Sequence, residues 1–154
     1  MPKALFGAGC FWGVEKKFSE LKGVTKTEVG YSQGTNNKTS YEEVCRGSTN
    51  HVEVVLVEYD ESILSYENLV YFFYKIHDPT TPNQQGPDRG IQYRSLIGVF
   101  TNDQKKKAAD ILEELNQHQF NQKITTTIED VKNYCTAEEY HQKYIEKKYS
   151  FLNI

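Results

Sequence analysis

Apolar residues recur along this chain with two spacings, and they divide it into alternating strands and helices. Residues 4–8 (Ala-Leu-Phe-Gly-Ala) form a short apolar run that predicts a buried strand. After a turn at Gly9-Cys10, Val14, Phe18 and Leu21 recur at i, i+4 and i+7. That spacing predicts a helix over 12–21, with Gly23 just past its end. Residues 24–31 alternate weakly and predict a second strand, and the all-polar stretch 32–40 a loop. The Val-rich segment 51–59 is the strongest strand signal. Ser65 can cap a helix over 66–76 whose apolar face is Leu69, Phe72, Phe73 and Ile76. Residues 77–90 are a Pro/Gly/Asn/Gln loop of a length that usually carries function in a compact domain. A strand over 93–100 follows, then a helix from Asn102 or Asp103 to about Gln119 with Ala108, Ile111, Leu112 and Leu115 inward. A Thr-rich strand over 124–128 and a last helix over 137–149, carrying Tyr140, His141, Tyr144 and Ile145, close the chain.

Strands interleave with too few helices to cover both faces of a parallel sheet. The expected class is therefore α+β: a two-layer α/β sandwich with a mixed or antiparallel sheet and its helices mainly on one face. With 154 residues and no linker or repeat, a single domain over 1–154 is expected. A net charge of −3 leaves no basic field for nucleic acid or an anionic membrane, and acidic residues surround the Lys105-Lys106-Lys107 run. No apolar stretch approaches the ~20 residues of a membrane span, and the first ten residues do not resemble a signal peptide. The chain has three cysteines, Cys10, Cys45 and Cys135. An odd, small number without a secretion signal points to free thiols in a reducing compartment, so a cytoplasmic location is expected. A monomer is the expected state, although the sequence does not fix it.

The question becomes which thiol reacts. Cys10 sits where a strand hands over to a helix. First-turn amides there are unpaired and carry partial positive charge, which predicts a lowered thiol pKa. Gly9 and Gly13 allow a tight turn and close approach of a substrate. Phe11 and Trp12 place two aromatic surfaces beside the sulfur, as an apolar pocket needs.

Gly9-Cys10-Phe11-Trp12-Gly13 resembles the signature of the A-type peptide methionine sulfoxide reductases. Three more segments agree in order and spacing. They are Tyr41-Glu42-Glu43-Val44-Cys45-Arg46-Gly47 with Thr49-Asn50-His51-Val52-Glu53, then Gly86 to Ser95 (Gly-Pro-Asp-Arg-Gly-Ile-Gln-Tyr-Arg-Ser), and Ala137-Glu138-Glu139-Tyr140-His141-Gln142. The resemblance spans nearly the whole chain. It implies a two-layer core of ferredoxin-like type and reduction of the S-epimer of methionine sulfoxide, free or in oxidised proteins. It maps the nucleophile onto Cys10, the acid onto Glu53, paired phenols onto Tyr41 and Tyr93, a substrate-positioning carboxylate onto Asp88, and the methyl-holding aromatics onto Phe11 and Trp12. It implies no bound cofactor, and thioredoxin or a small dithiol as reductant.

The residue types suit the chemistry. A sulfoxide sulfur is electrophilic, but its oxygen leaves only when protonated, so a thiolate and an acid are both needed. Glu53 shares a strand face with Val55 and Val57, and an apolar surrounding would keep its carboxyl protonated. Tyr41 and Tyr93 can donate hydrogen bonds to the sulfoxide oxygen. The oxygen then ends on Cys10 as a sulfenic acid, which a second thiol must reduce.

Here the chain departs from many relatives, which carry recycling cysteines in a C-terminal tail. This one ends Tyr149-Ser150-Phe151-Leu152-Asn153-Ile154, without a cysteine. Cys135, Cys45 or an external thiol remains to recycle Cys10. Asn50 stands where Gly is usual, and Lys38 where Pro is frequent. Cys45/His51 and Cys135/His141 repeat a Cys-x5-His spacing, wider than structural zinc prefers, so no metal is expected.

Overall fold

Five of the six residues of Lys3–Ala8 (β1) are buried, as a central strand covered on both faces requires. The computed structural model describes residues 1–152, with side chains to Lys148. After β1 come Phe11–Ser19 (α1), Val24–Ser32 (β2), Tyr41–Cys45 (α2), Val52–Tyr59 (β3) and Tyr66–Lys75 (α3). Gln84–Gln85 (β4) and Asp88–Arg89 (β5) form a separate small ribbon. A 3-10 turn at Ile91–Tyr93 leads into Ser95–Val99 (β6), Asn102–His118 (α4), Thr127–Asp130 (β7) and Cys135–Thr136 (β8). A second 3-10 turn at Glu139–His141 precedes Tyr144–Leu152 (α5).

The six-stranded sheet has the order β7-β6-β1-β3-β2-β8. Among the described residues only the β6–β7 pair is parallel, so the expected mixed sheet is borne out. Within it, β1-α1-β2-β3-α3-β6 in the order β6-β1-β3-β2 is the ferredoxin-like core, and β7 and β8 extend its two edges.

The two-residue period of the strands sorts side chains between the faces. Ala4, Phe6, Val29, Val55, Val57 and Ile97 join the main core, which α1, α3 and α4 cover through residues such as Phe18, Phe73 and Ile111. Leu5, Val52, Val54 and Leu96 point the other way, into a smaller cluster under Tyr134 and Val131. The helices thus lie on one face, as the pattern predicts. Among the described residues no helix is long and apolar enough to cross a membrane.

Element ends differ from expectation where polar side chains capture the backbone. The strand expected from residue 93 starts at Ser95, because Ile91–Tyr93 curls into a turn. The strand expected at 124–128 is shifted to Thr127–Asp130, because the Thr125 amide bonds to the Pro79 carbonyl instead. The last helix does not start at Ala137. The Ala137 amide bonds to the Val29 carbonyl, and the Gln142 side chain takes both the amide and the carbonyl of Val29, at 2.9 and 2.8 Å. This draws the segment along β2 and delays α5 to Tyr144. The short α2 was not predicted, although Ser40 caps it by accepting from the Glu43 amide at 3.3 Å, three residues on as in a capping box.

Gly34 packs against His51, which is fully buried. A Cβ at Gly34 would lie 2.1 Å from His51 Nδ1, and the ring is fixed by an Nε2 contact to the Asn36 carbonyl at 2.9 Å. Gly34→Ala is expected to destabilise the fold by about 3 kcal/mol, measured as a lowered urea midpoint with an unchanged slope.

Candidate active site

Cys10 occupies the N-cap of α1, directly after the β1 turn. Gly9 makes that turn at φ 96, and its missing Cβ leaves room for Gln85, whose carbons would otherwise lie at 2.8 Å. The amides of Trp12 and Gly13 favour the thiolate, as expected, although no side-chain capping bond forms. The expected lowering of the pKa does not result. Burial outweighs the amides, and the Glu53 and Asp88 carboxylates add to it, so the thiol is pushed up to about 11. The helix terminus alone is too weak to offset desolvation beside two acids.

Glu53 projects from β3 on the face it shares with Val55 and Val57, as its strand parity predicts. It is 1% exposed. Its Oε1 accepts the Phe11 amide at 3.1 Å, which ties β3 to the first turn of α1. Its Oε2 is buried and has no hydrogen-bond partner among the described residues. Burial first, and then the Asp88 charge, raise the carboxyl to about 8 against the opposing Phe11 bond. Glu53 is therefore a neutral acid at pH 7 with one oxygen unengaged.

Two phenols join this pair from different elements, Tyr41 from α2 and Tyr93 from the 3-10 turn before β6. Burial holds both hydroxyls protonated, Tyr93 up to about 12 and Tyr41 higher still, and Glu53 acts on each. Asp88 comes from β5, and its charge bears on Cys10, Glu53 and Tyr93 together. The loop at 77–90 thus delivers a site residue. Cys45, one turn after Tyr41 on α2, faces the Tyr41 hydroxyl and is exposed.

Trp12 is half-buried and Phe11 is buried at 1% exposure. The indole stacks on Tyr144, with ring centres 3.9 Å apart, and its Nε1–H donates to His141 Nδ1 at 2.9 Å. That bond leaves the His141 proton on Nε2, and burial lowers its pKa, so the ring is neutral. The His141 ring also lies 4.5 Å from that of Tyr41. Cys10, Phe11, Trp12, Tyr41, Glu53, Asp88, Tyr93 and Cys45 are therefore brought to one end of the sheet. Their arrangement offers a thiol, a neutral carboxylic acid, two neutral phenols and an aromatic wall.

A family model described as peptide methionine sulfoxide reductase matches residues 2–153. The chain belongs to that family. A methionine sulfoxide reductase MsrA of Pelagibacter ubique is 50% identical over 148 residues, which are 96% of this chain and 100% of the relative. The crystal structure of reduced Mxr1 from Saccharomyces cerevisiae matches with a TM-score of 0.90 and 38% identity, over 95% of this chain and 84% of that one. Mxr1 in complex with Trx2 matches with a TM-score of 0.67 and 29% identity, over 93% and 84%. The protein is an oxidoreductase that reduces methionine sulfoxide, and the A-type resemblance of its motifs is borne out.

Asn50, read from the motif resemblance as standing where Gly is usual, has φ 62, the left-handed region that Asn tolerates best after Gly. Cys135 lies in edge strand β8. It pairs with Tyr31, which pairs with Glu53, so the three stand in one row across the sheet with Tyr31 between the other two. The Cys135 thiol donates to the Thr136 carbonyl at 3.6 Å.

Among the described residues, no group of three or more His, Cys, Asp or Glu side chains is placed to hold a metal ion. Of the two Cys-x5-His pairs, His51 bonds to a carbonyl and His141 to Trp12.

The sequence reading of this reductase missed Glu138 and Tyr144. Glu138 accepts from the Tyr31 hydroxyl at 2.8 Å and from the Tyr41 amide at 3.0 Å, so it sets the start of α2. Its presence in the last motif block was the available signal, but nothing in a linear pattern ties it to Tyr41, 97 residues away.

Proposed function

We propose that the reduction proceeds by attack of Cys10 on the sulfur of methionine S-sulfoxide, with Glu53 as the acid. The observation that carries this reading is the unengaged Oε2 of a neutral, buried Glu53, tied through Phe11 to the helix turn that bears the thiol. A sulfoxide oxygen is an acceptor without a proton, and it would meet three donors: Glu53 Oε2–H and the hydroxyls of Tyr41 and Tyr93. These favour the polarised S–O bond and supply its proton. Trp12, with Phe11 beneath the surface, receives the methyl group, and Asp88 orients the substrate.

The high pKa of free Cys10 fits this order of events. The thiol keeps its proton until the sulfoxide excludes water and presents an acceptor. The proton then passes to the oxygen, directly or through Glu53, as sulfur attacks sulfur. The net step consumes one thiol and one sulfoxide and yields one thioether and a Cys10 sulfenic acid. Glu53 ends the step protonated.

Recycling takes two further electrons. The Cys10 sulfenic acid and a second thiol give a disulfide and water, and a dithiol then restores both thiols by becoming a disulfide. Cys45 is the better candidate than Cys135 for the second thiol. It lies on α2 with Tyr41, it acts on Tyr93 as Cys10 does, and its exposure would leave a disulfide open to a protein reductant. The Mxr1–Trx2 complex supports thioredoxin as that reductant. Preference for the S-epimer follows from the A-type motifs.

One experiment tests this scheme in two parts. With dithiothreitol or thioredoxin as reductant, the S-epimer is expected to turn over and the R-epimer to remain. After a single turnover without reductant, peptide mass mapping is expected to find Cys10 bonded to Cys45. A Cys10–Cys135 bond would reverse the assignment of the recycling thiol. A lone sulfenic acid on Cys10 would pass that task to an external thiol, and R-epimer turnover would sink the stereochemical reading.

A further inference from the structure

Glu15 is a buried carboxylate that this chemistry does not use. It lies on α1 one turn after Trp12 and is 2% exposed. A carboxylate so deep persists only when several bonds hold it. Its Oε2 accepts from the Thr27 hydroxyl at 2.9 Å and from Lys143 Nζ at 3.0 Å, and its Oε1 accepts from the Lys143 backbone amide at 2.7 Å. Lys143 Nζ also meets the Thr27 hydroxyl. These contacts converge on a residue with φ 54, a left-handed conformation that costs a lysine about 1 kcal/mol or more.

That kink has consequences on both sides. Two residues before it, His141 accepts the Trp12 indole proton at 2.9 Å. One residue after it, α5 begins with Tyr144, whose ring covers Trp12 at 3.9 Å and 13°. Gln142 between them is fastened to Val29 of β2. The aromatic wall is thus set by where the chain turns, and the turn is held by Glu15.

We infer that Glu15 is a positioning residue for the sulfoxide pocket, acting through the Lys143 kink on Trp12, His141 and Tyr144. The inference rests on the reading of Trp12 as the pocket wall. Without Glu15, Lys143 relaxes toward an ordinary backbone conformation, α5 shifts, and the indole loses its stacking partner. Substrate must then reorder the wall on binding. Cys10 and Glu53 are held independently, by the β1 turn and the Phe11 amide, so the chemical step is spared.

The test uses Glu15→Ala and Glu15→Gln in the full chain, with a methionine sulfoxide peptide and dithiothreitol. Trp12 is the only tryptophan, so its emission reports the wall directly. Glu15→Ala is expected to raise KM about tenfold with kcat within about threefold, and to shift Trp12 emission to the red. Glu15→Gln keeps an acceptor for the Lys143 amide but loses the charge that pairs with Nζ, and is expected to raise KM only about threefold. Wild-type KM and emission in folded Glu15→Ala overturn the proposal, and so does a fall in kcat with both unchanged. If Glu15→Ala does not fold, the isosteric Glu15→Gln decides, since a threefold rise in KM with altered emission supports the role and wild-type values for both remove it. Cys10→Ser in the same assay separates the two levels. Retained turnover there removes the catalytic reading and this inference together, whereas wild-type behaviour of the Glu15 variants alone removes only the inference.

Discussion

Cys10→Ser is expected to lower methionine sulfoxide turnover at least about 1,000-fold while leaving the protein as stable as before, or more so. The loss follows from the chemistry assigned to the sulfur. A serine hydroxyl is a poor nucleophile toward a sulfoxide and cannot hold the oxygen as a sulfenic acid. The gain follows from its position. Cys10 is the N-cap of α1 and makes no side-chain capping bond. Serine is among the best residues at an N-cap, where its oxygen accepts from a first-turn amide. It should therefore stabilise α1 by up to about 1 kcal/mol. The Cys10 thiol, its pKa pushed up to about 11, is protonated at neutral pH in the folded and unfolded chain alike, so its removal costs no stability there. Methionine release and the thermal midpoint, measured on one preparation, check both halves. Turnover near the wild-type rate would remove Cys10 from the mechanism.

How far the site could be foreseen depends on the kind of interaction. Strand parity put Glu53 on the face of Val55 and Val57, and burial there produces the raised pKa that the apolar pattern predicts. Alternation in β3, the i, i+4 face of α1 and the Ser65 cap of α3 are local properties, and they fold as read. The Cys10 pKa went the opposite way, because the helix terminus is local whereas desolvation and two carboxylates from β3 and β5 are not. The course of residues 137–144 was illegible for the same reason. A helical spacing of Tyr140, His141, Tyr144 and Ile145 is present, yet Gln142 finds Val29 and Lys143 finds Glu15, across 113 and 128 residues. Those long-range bonds straighten and kink a stretch whose own preference is helical. The motif blocks marked which segments meet at the site, but not that Glu138, His141 and Tyr144 would enclose Tyr41 and Trp12.

Glu53→Gln is expected to cut turnover about 100-fold and at the same time to make the protein more stable at neutral pH. Glutamine keeps the shape and the acceptor for the Phe11 amide but has no acidic proton to give. The wild-type rate should fall as pH rises through about 8, where Glu53 ionises, and the variant should lack that limb. Stability follows from the same shift. The carboxyl titrates near 4.5 when exposed and near 8 in the folded protein. Between those values the folded state retains a proton that the unfolded chain releases. The wild-type contribution is therefore fully present below 4.5, declines as pH rises, and is lost once pH passes 8. At about 1.4 kcal/mol per pH unit, the cost reaches about 3 kcal/mol at pH 7. The variant has no such cost, so its advantage in urea should be small near pH 4.5 and should grow to pH 8. A stability difference that does not change with pH would mean that Glu53 is not held neutral by burial, and the acid role would lose its physical basis.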